Sequence, residues 1–358
     1  MYKRFIRPIL FLLPPETIHH LVVVMLKVGF TIPGVRRLVA WAYRYNHPSL
    51  RRNVFGLEFK NPVGFAAGFD KNAEVFNDFT AFGFSFIEIG TVTPRPQPGN
   101  PKPRSFRLKA DNALINRMGF NNKGVHFAAR SISRQGKHVI VGGNIGKNTD
   151  TPNESAVNDY LYCFRELYDY VDYLVVNISC PNVANLRHLQ DGEQLRNILE
   201  VLLSDRKRMP VYKPVLLKVS PDLSFEQIDE TIKIAEAAGI DGYIATNTTT
   251  NRANLITPSP RVAAIGNGGL SGAPLTARST EIIKYLHQKT NGKKPIIGVG
   301  GIMNVHDALE KLEAGATLIQ LYTGFIYSGP GLVKRINKAI VSELFSTTNT
   351  NSSLTETQ

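Results

Sequence analysis

Eight short apolar runs punctuate this chain, separated for the most part by stretches of amphipathic helical pattern. They are Pro62–Gly68, Phe84–Thr91, His138–Gly146, Tyr173–Ser179, Pro214–Ser220, Gly242–Thr248, Pro295–Ile302 and Thr317–Thr323. Strand-like runs alternating with helices build a parallel sheet, and eight of them close it into a (β/α)₈, or TIM, barrel. Such a barrel typically needs ~250 residues. A chain of 358 residues therefore holds one barrel and an accessory segment.

Barrels of this kind carry their chemistry at the C-terminal ends of the strands. Reading only those ends gives Asp70-Lys71, Thr91, Asn144, Asn177, Lys218, Thr246-Asn247-Thr248, Gly300-Gly301 and Tyr322-Thr323. The fourth end runs on into Ser179-Cys180-Pro181-Asn182. A barrel built only to fold has little use for a rim of amides, hydroxyls and two lysines. This rim belongs to an enzyme.

The charge sets the N-terminus apart. The chain carries a net +13, and residues 1–52 supply +8 of it, with nine basic side chains against Glu16. These charges are interleaved with Phe5, Ile6, Ile9–Leu13, Leu21–Leu26 and Leu38–Trp41. Basic residues mixed with strongly apolar ones suit an anionic membrane surface better than nucleic acid. Pro8, Pro14-Pro15 and Pro33 cut the apolar runs short of the ~20 residues a spanning helix needs. The alternative is a helical pair packed on the barrel, and the two readings are compatible. The expected organisation is a helical module over 1–45, a connector over 46–60, the barrel over 61–344 and a polar, disordered tail over 345–358. Two cysteines, Cys163 and Cys180, argue for a reducing compartment without a disulfide framework. Cys163 falls in an expected helix over Val157–Tyr168 and reads as core.

Three strand-to-helix connections are long enough to be functional: Pro94–Asn122, Cys180–Gln190 and Thr249–Gly272. All leave the barrel at the polar rim. Gly298-Val299-Gly300-Gly301-Ile302 and Tyr322-Thr323-Gly324 follow strands seven and eight, where backbone N–H groups of such barrels commonly hold phosphate. A phosphosugar or flavin mononucleotide (FMN) would fit. Lys218 favours flavin, because a lysine can stabilise the negative charge of a reduced ring; a Schiff-base lysine is the alternative. Ala66-Ala67-Gly68 offers a small-residue floor for a flat ring, and Thr91, Asn144 and Asn177 offer polar partners for its edge. Lys71, Asn116, Asn177, Asn182, Asn247 and Thr248 suit a small planar anion rich in C=O and N–H groups. Cys180 has three readings: an inert core thiol, a nucleophile lacking a triad, or a general base poised by a neighbouring lysine.

Taken with their order along the chain, these segments resemble the dihydroorotate dehydrogenases, flavin enzymes of pyrimidine synthesis. The resemblance rests on Ala66–Lys71, Gly90–Pro94, Asn116–Asn121, Asn177–Asn182, Gly269–Gly272 and Gly298–Gly301. The N-terminal module and Arg104-Ser105-Phe106-Arg107 resemble the membrane-associated, quinone-reducing class. The resemblance implies FMN held by Ala66, Ala67, Gly68, Phe69, Asp70, Thr91, Asn144, Asn177, Lys218, Thr246, Gly272, Gly301, Tyr322 and Thr323. It implies dihydroorotate held by Lys71, Asn116, Arg117, Met118, Gly119, Phe120, Asn177, Asn182, Asn247 and Thr248. Cys180 would remove the C5 proton as the C6 hydride passes to the flavin. Quinone would then enter through the N-terminal helices near Arg107 and Tyr322. No metal and no nucleic acid are implied. The expected location is the cytoplasmic face of the cell membrane if the source is bacterial, and the oligomeric state stays open, a monomer included.

One residue departs from that class. Quinone-linked members use serine as the base, soluble members cysteine, and here the position is Cys180. A thiol is the better proton acceptor, so the role survives. The electron acceptor is where the two signals divide, and the roughly fifty-residue module outweighs the single codon. A soluble acceptor such as fumarate, a dihydropyrimidine dehydrogenase-like enzyme and a lysine-dependent aldolase are the competing readings.

Overall fold

The computed structural model describes residues 2–179 and 192–355. Eight parallel strands close into a barrel in sequence order: β1 (Val63–Phe65), β2 (Phe86–Val92), β3 (Ile140–Ile145), β4 (Tyr173–Val176), β5 (Val215–Val219), β6 (Gly242–Ala245), β7 (Ile296–Val299) and β8 (Leu318–Leu321). Seven fall inside one of the eight apolar runs, and β2 overruns its run by one residue, Val92. The strands read as continuous apolar stretches because both faces are covered, by helices outside and by side chains inside.

Inside the barrel, large rings face glycines. Phe86 and Tyr173 are fully buried, and a Cβ on Gly64 or Gly142 would come within 2.3 or 2.2 Å of their rings. Small positions on one strand thus make room for aromatic side chains on the next. The segment expected as a connector folds into a hairpin, Arg52–Val54 with Leu57–Phe59, turning on Phe55 and Gly56, both at positive φ. Its Phe59 meets Phe86 edge-on at 5.1 Å and stops the N-terminal end of the barrel.

At the opposite end, two of the three long connections meet. Ser105–Leu108, Ala113–Asn116 and Gly269–Gly272 form an antiparallel sheet that roofs the strand ends, with Gly269 opposite Asn116. The third connection, Cys180–Gln190, lies outside the described residues, and with it Cys180 and Asn182. The N-terminal module is helical over Tyr2–Leu10, Pro15–Gly29 and Val35–Tyr43, with prolines opening or breaking the turns where the chain bends. At the far end of the chain the last helix runs Gly331–Thr355, carrying helical backbone into the stretch expected as a tail.

Candidate active site

A cavity of about 380 Å³ opens between the strand ends, the roof sheet and the N-terminal helices. Its walls differ from end to end.

In one corner the turns after β7 and β8 meet the end of the roof. Gly300 and Gly301 both have positive φ, and a Cβ on Gly301 would fall 2.3–2.4 Å from atoms of Thr276. The turn is gripped from behind by Ser279 Oγ donating to Gly300 O and Thr276 Oγ1 donating to Gly301 O, each at 2.7 Å. Gly272 has φ +102, and Ser271 Oγ lies 2.8 Å from Thr323 Oγ1, which ties the roof to the start of the short Thr323–Ser328 helix. Gly272, Gly301, Thr323 and Gly324 all reach the cavity wall.

Along the floor runs a connected polar network. Thr91 Oγ1 donates to Asn144 Oδ1 at 2.5 Å, and Asn177 Nδ2 donates to both Thr91 Oγ1 (2.9 Å) and Asn144 Oδ1 (3.2 Å). Asn247 Nδ2 continues it to Asn177 Oδ1 (3.1 Å) and Ser179 Oγ (3.0 Å). Beneath Thr91, Glu88 accepts from Asn144 Nδ2 (2.7 Å), Lys218 Nζ (3.2 Å) and Gln320 Nε2 (2.7 Å). Strands β2, β3, β4, β5 and β8 are thereby linked through side chains, which fixes the floor before any ligand arrives. Thr248 Oγ1 is buried at this end with no partner among the described residues.

The mouth is apolar. Leu10, Phe11, Pro15, Ile18 and Val22 of the N-terminal helices face Phe82, Phe325 and Ile326 across it. A few polar pins hold these helices down. Arg104, nearly buried, donates to Glu16 Oε1 at 2.7 Å; burial opposes ionisation there, but Arg104 and Lys102 hold the Glu16 carboxyl below its usual range. Arg107 Nη1 donates to Leu13 O at 2.6 Å, its guanidinium lies 4.5 Å from the Phe11 ring centroid, and its buried Nε has no partner among the described residues. Tyr2 donates from its hydroxyl to Ile326 O at 2.7 Å. His19 packs edge-on against Phe69 at 4.4 Å. Burial first, then the Lys71 and His20 charges, push its imidazole down to about 3, so it is neutral at ordinary pH. Burial pushes the Tyr322 hydroxyl up to about 12, leaving it a proton donor.

Most residues expected at the site line this cavity: Ala66, Ala67, Gly68, Phe69, Lys71, Thr91, Asn116, Met118, Gly119, Phe120, Asn177, Lys218, Thr246, Asn247, Thr248 and Tyr322, with Arg107 at the mouth. Three stand off the wall. Asp70 accepts from Glu74 N (2.7 Å) and Val75 N (2.8 Å), shaping the turn that carries Lys71. Its burial pushes the carboxyl up to about 6. Asn144 sits behind Thr91 and Asn177. Arg117 turns outward, donating to Asn267 O (3.1 Å) and Pro103 O (3.2 Å) and lying over the Phe106 ring. Reading strand ends alone missed Glu88, Gln320, Ser271 and His19. For Glu88 a signal existed: a lone acid within the apolar run Phe86-Ile87-Glu88-Ile89.

The donor set fits a flavin phosphate and ring: a glycine corner that admits no side chains, a buried lysine, and amides at one edge. The comparisons agree. A sequence profile of the family described as dihydroorotate dehydrogenase matches residues 49–344. A protein from Christiangramia forsetii named dihydroorotate dehydrogenase (quinone) is 52% identical over 96% of this chain and 99% of its own length. One of the same name from Nitrosospira multiformis is 46% identical over 95% of this chain and 96% of its own. The crystal structure of the Eimeria tenella enzyme in complex with ferulenol superposes with a TM-score of 0.84 at 35% identity, covering 93% of this chain and 92% of that one. Matches of that extent, over a barrel with this rim and this mouth, make the chain a member of the dihydroorotate dehydrogenase family, in its quinone-dependent class.

Proposed function

We propose that this chain oxidises dihydroorotate to orotate and passes the electrons to a lipid-soluble quinone, using the two ends of the single cavity for the two reactants. The observation that carries this reading is the joining of a polar floor and an apolar mouth in one cavity. Each end also holds a buried polar atom with no partner among the described residues, Thr248 Oγ1 on the floor and Arg107 Nε at the mouth. Such atoms are costly unless a ligand satisfies them.

FMN, when bound, supplies the two-electron acceptor that connects the reactions. Gly272, Gly301 and Thr323 would hold its phosphate; Ala66, Ala67, Gly68, Phe69, Thr91, Asn177, Lys218, Thr246 and Tyr322 would enclose the rest. Asp70 and Asn144 support that wall from behind. Lys71 gives the substrate carboxylate an ammonium partner. Asn116, Asn177, Asn247 and Thr248 orient the ring amides, Met118, Gly119 and Phe120 cover it, and Arg117 holds the covering loops together from outside. Asn182 would add a further amide. Cys180 takes the C5 proton as thiolate.

At the mouth, Arg107, Tyr322 and neutral His19 present donors within apolar walls, a combination suited to a quinone's carbonyls and ring. The outer face of these helices exposes Phe5, Ile9, Leu12, Val24, Met25, Leu38 and Trp41 beside the basic residues. No single helix among the described residues is long and apolar enough to cross a membrane. This face supports docking on an anionic membrane surface, as a peripheral protein on the cytoplasmic side in a bacterial cell.

The test is the purified full chain: flavin absorbance, bleached anaerobically by dihydroorotate and restored by a soluble quinone analogue but not by fumarate. Absence of flavin bands would remove every redox reading. Restoration by fumarate instead would move the acceptor to the soluble class.

A further inference from the structure

Glu88 has no part in the roles above, yet it is the most thoroughly enclosed carboxylate near the site. It is fully buried in the middle of β2, among Phe86, Ile87 and Ile89. Taking a carboxylate out of water is costly unless charge and hydrogen bonds compensate it, and a buried ion pair can often be replaced by apolar residues without loss of stability. Much of the barrel interior is filled by apolar residues such as Phe86, Leu216 and Ile297. Stability alone therefore gives no reason for an acid here.

The three groups around Glu88 have different relations to the cavity. Asn144 Nδ2 and Gln320 Nε2 anchor its two oxygens from β3 and β8 at 2.7 Å each. Lys218 Nζ, from β5, lies 3.2 Å from Oε1. Lys218 lines the cavity; Glu88 does not. The carboxylate thus sits behind the ammonium, with each oxygen held by an amide of a different strand. A cation alone in that wall would stabilise the negative charge a flavin gains on reduction, making reduction easy and the return of electrons to quinone correspondingly harder.

We propose that Glu88 is a positioning and charge-balancing residue: by partly cancelling and orienting the Lys218 ammonium it lowers the electron affinity of FMN bound against that wall, which keeps re-oxidation by quinone favourable. This rests on the reading that FMN occupies the floor of the cavity.

The probe is sulfite, which adds reversibly to oxidised flavin and leaves negative charge on the ring, so its affinity reports the local positive potential without turnover. Glu88→Gln removes the charge and can keep the hydrogen bonds. Gln320 Oε1 has no partner among the described residues, so its amide can flip to receive the new Nε2 donor. In the holoenzyme, Glu88→Gln should bind sulfite about tenfold more tightly, the scale of one uncompensated charge acting through a protein interior, and should raise the flavin midpoint potential. Glu88→Asp, which keeps the charge but draws it back from Lys218, should shift both in the same direction by less. Lys218→Met should shift both the other way, and in that background Glu88→Gln should still shift them back, but by less than in the parent, because only the carboxylate's own charge and not its hold on the ammonium is then removed.

A purely structural role would lower the melting temperature and leave sulfite affinity and potential where they were. Unchanged or weaker sulfite binding in the Glu88 variants that retain FMN would overturn the proposal, as would failure of both to retain FMN. A wild-type protein purified without flavin bands would overturn the FMN reading itself, an outcome distinct from a yellow protein whose Glu88 variants behave like the parent.

Discussion

The floor and the mouth of the cavity solve opposite problems. On the floor, polar groups are buried deep in the barrel and are paid for by one another: Glu88, Asn144, Thr91, Asn177 and Asn247 form one chain of hydrogen bonds. At the mouth, the helices are held by a handful of pins, chiefly Arg104 on Glu16 and Arg107 on Leu13 O, while their outer face leaves large apolar side chains in the open. A fixed floor suits chemistry that needs groups held before the substrate arrives. A lightly pinned, apolar mouth suits a reactant that arrives from a lipid phase. The difference predicts that the two half-reactions can be damaged separately.

The largest separation should come from Cys180. If it is the C5 base, Cys180→Ala slows flavin reduction by dihydroorotate about 10²–10⁴-fold, the usual contribution of a positioned base, and leaves re-oxidation by quinone intact. Cys180→Ser should recover part of the rate at higher pH. Stopped-flow bleaching of the flavin measures both, and an unaltered rate in the alanine variant would remove Cys180 from the mechanism.

Removing residues 1–45 attacks the other end. Liposome flotation should be lost and quinone turnover strongly reduced, while dihydroorotate still bleaches the flavin, because the floor residues all lie beyond Asn61. A truncated enzyme that stays folded and reduces quinone at the full rate would reduce the module to packing.

A gentler cut is Arg104→Ala. It leaves Glu16 half-stripped of its partners in a poorly solvated place, at a cost of about 1–3 kcal/mol. The expected readouts are faster proteolysis within the Pro15–Gly29 helix and a raised KM for quinone, with a smaller effect on dihydroorotate binding, because Arg104 also donates to Pro98 O (2.6 Å) and Asn100 O (2.9 Å) in the loop beside Met118. Equal damage to both substrates would show that the mouth and the floor are not mechanically separate.

The smallest effect is the response to acid. His19 titrates near 3 in the docked helix and near 6.5 in the unfolded chain, so the unfolded chain binds a proton that the folded one excludes. Stability from this source is fully present above about pH 6.5 and is lost as pH falls from there toward 3. Protease sensitivity of the helix should rise between pH 7 and pH 5, and His19→Phe should flatten that rise.

How much of this could be read from the chain varies from residue to residue. Seven of the eight strands lie within the apolar runs and β2 overruns its own only at Val92, because a strand buried on both faces is apolar along most of its length and two-faced burial is written into composition. Lys71, Lys218 and Thr248 could be placed at the cavity because the barrel puts every strand end on one rim. Asp70 and Asn144 stand at strand ends too, and Arg117 in a motif that the resemblance marked, yet none of the three reaches the cavity wall. A rotation of one residue in a loop, or a neighbour that takes the hydrogen bond first, sends a side chain elsewhere. Cys180 and the N-terminal module pointed to different electron acceptors, and relatives 46–52% identical along almost the whole chain place it in the quinone-dependent class.

The chain by itself determined the barrel, the polar rim and the basic-apolar helices ahead of it, since each depends on which residue types recur and at what spacing. Only the tertiary structure decided that Glu88 lies behind Lys218, that the 94–122 and 249–272 connections pair into one roof, and that floor and mouth form a single cavity. Those facts depend on contacts between residues as far apart as Glu88 and Gln320, 232 positions along the chain. Closure of the barrel brings them together, and nothing in local periodicity encodes such a meeting.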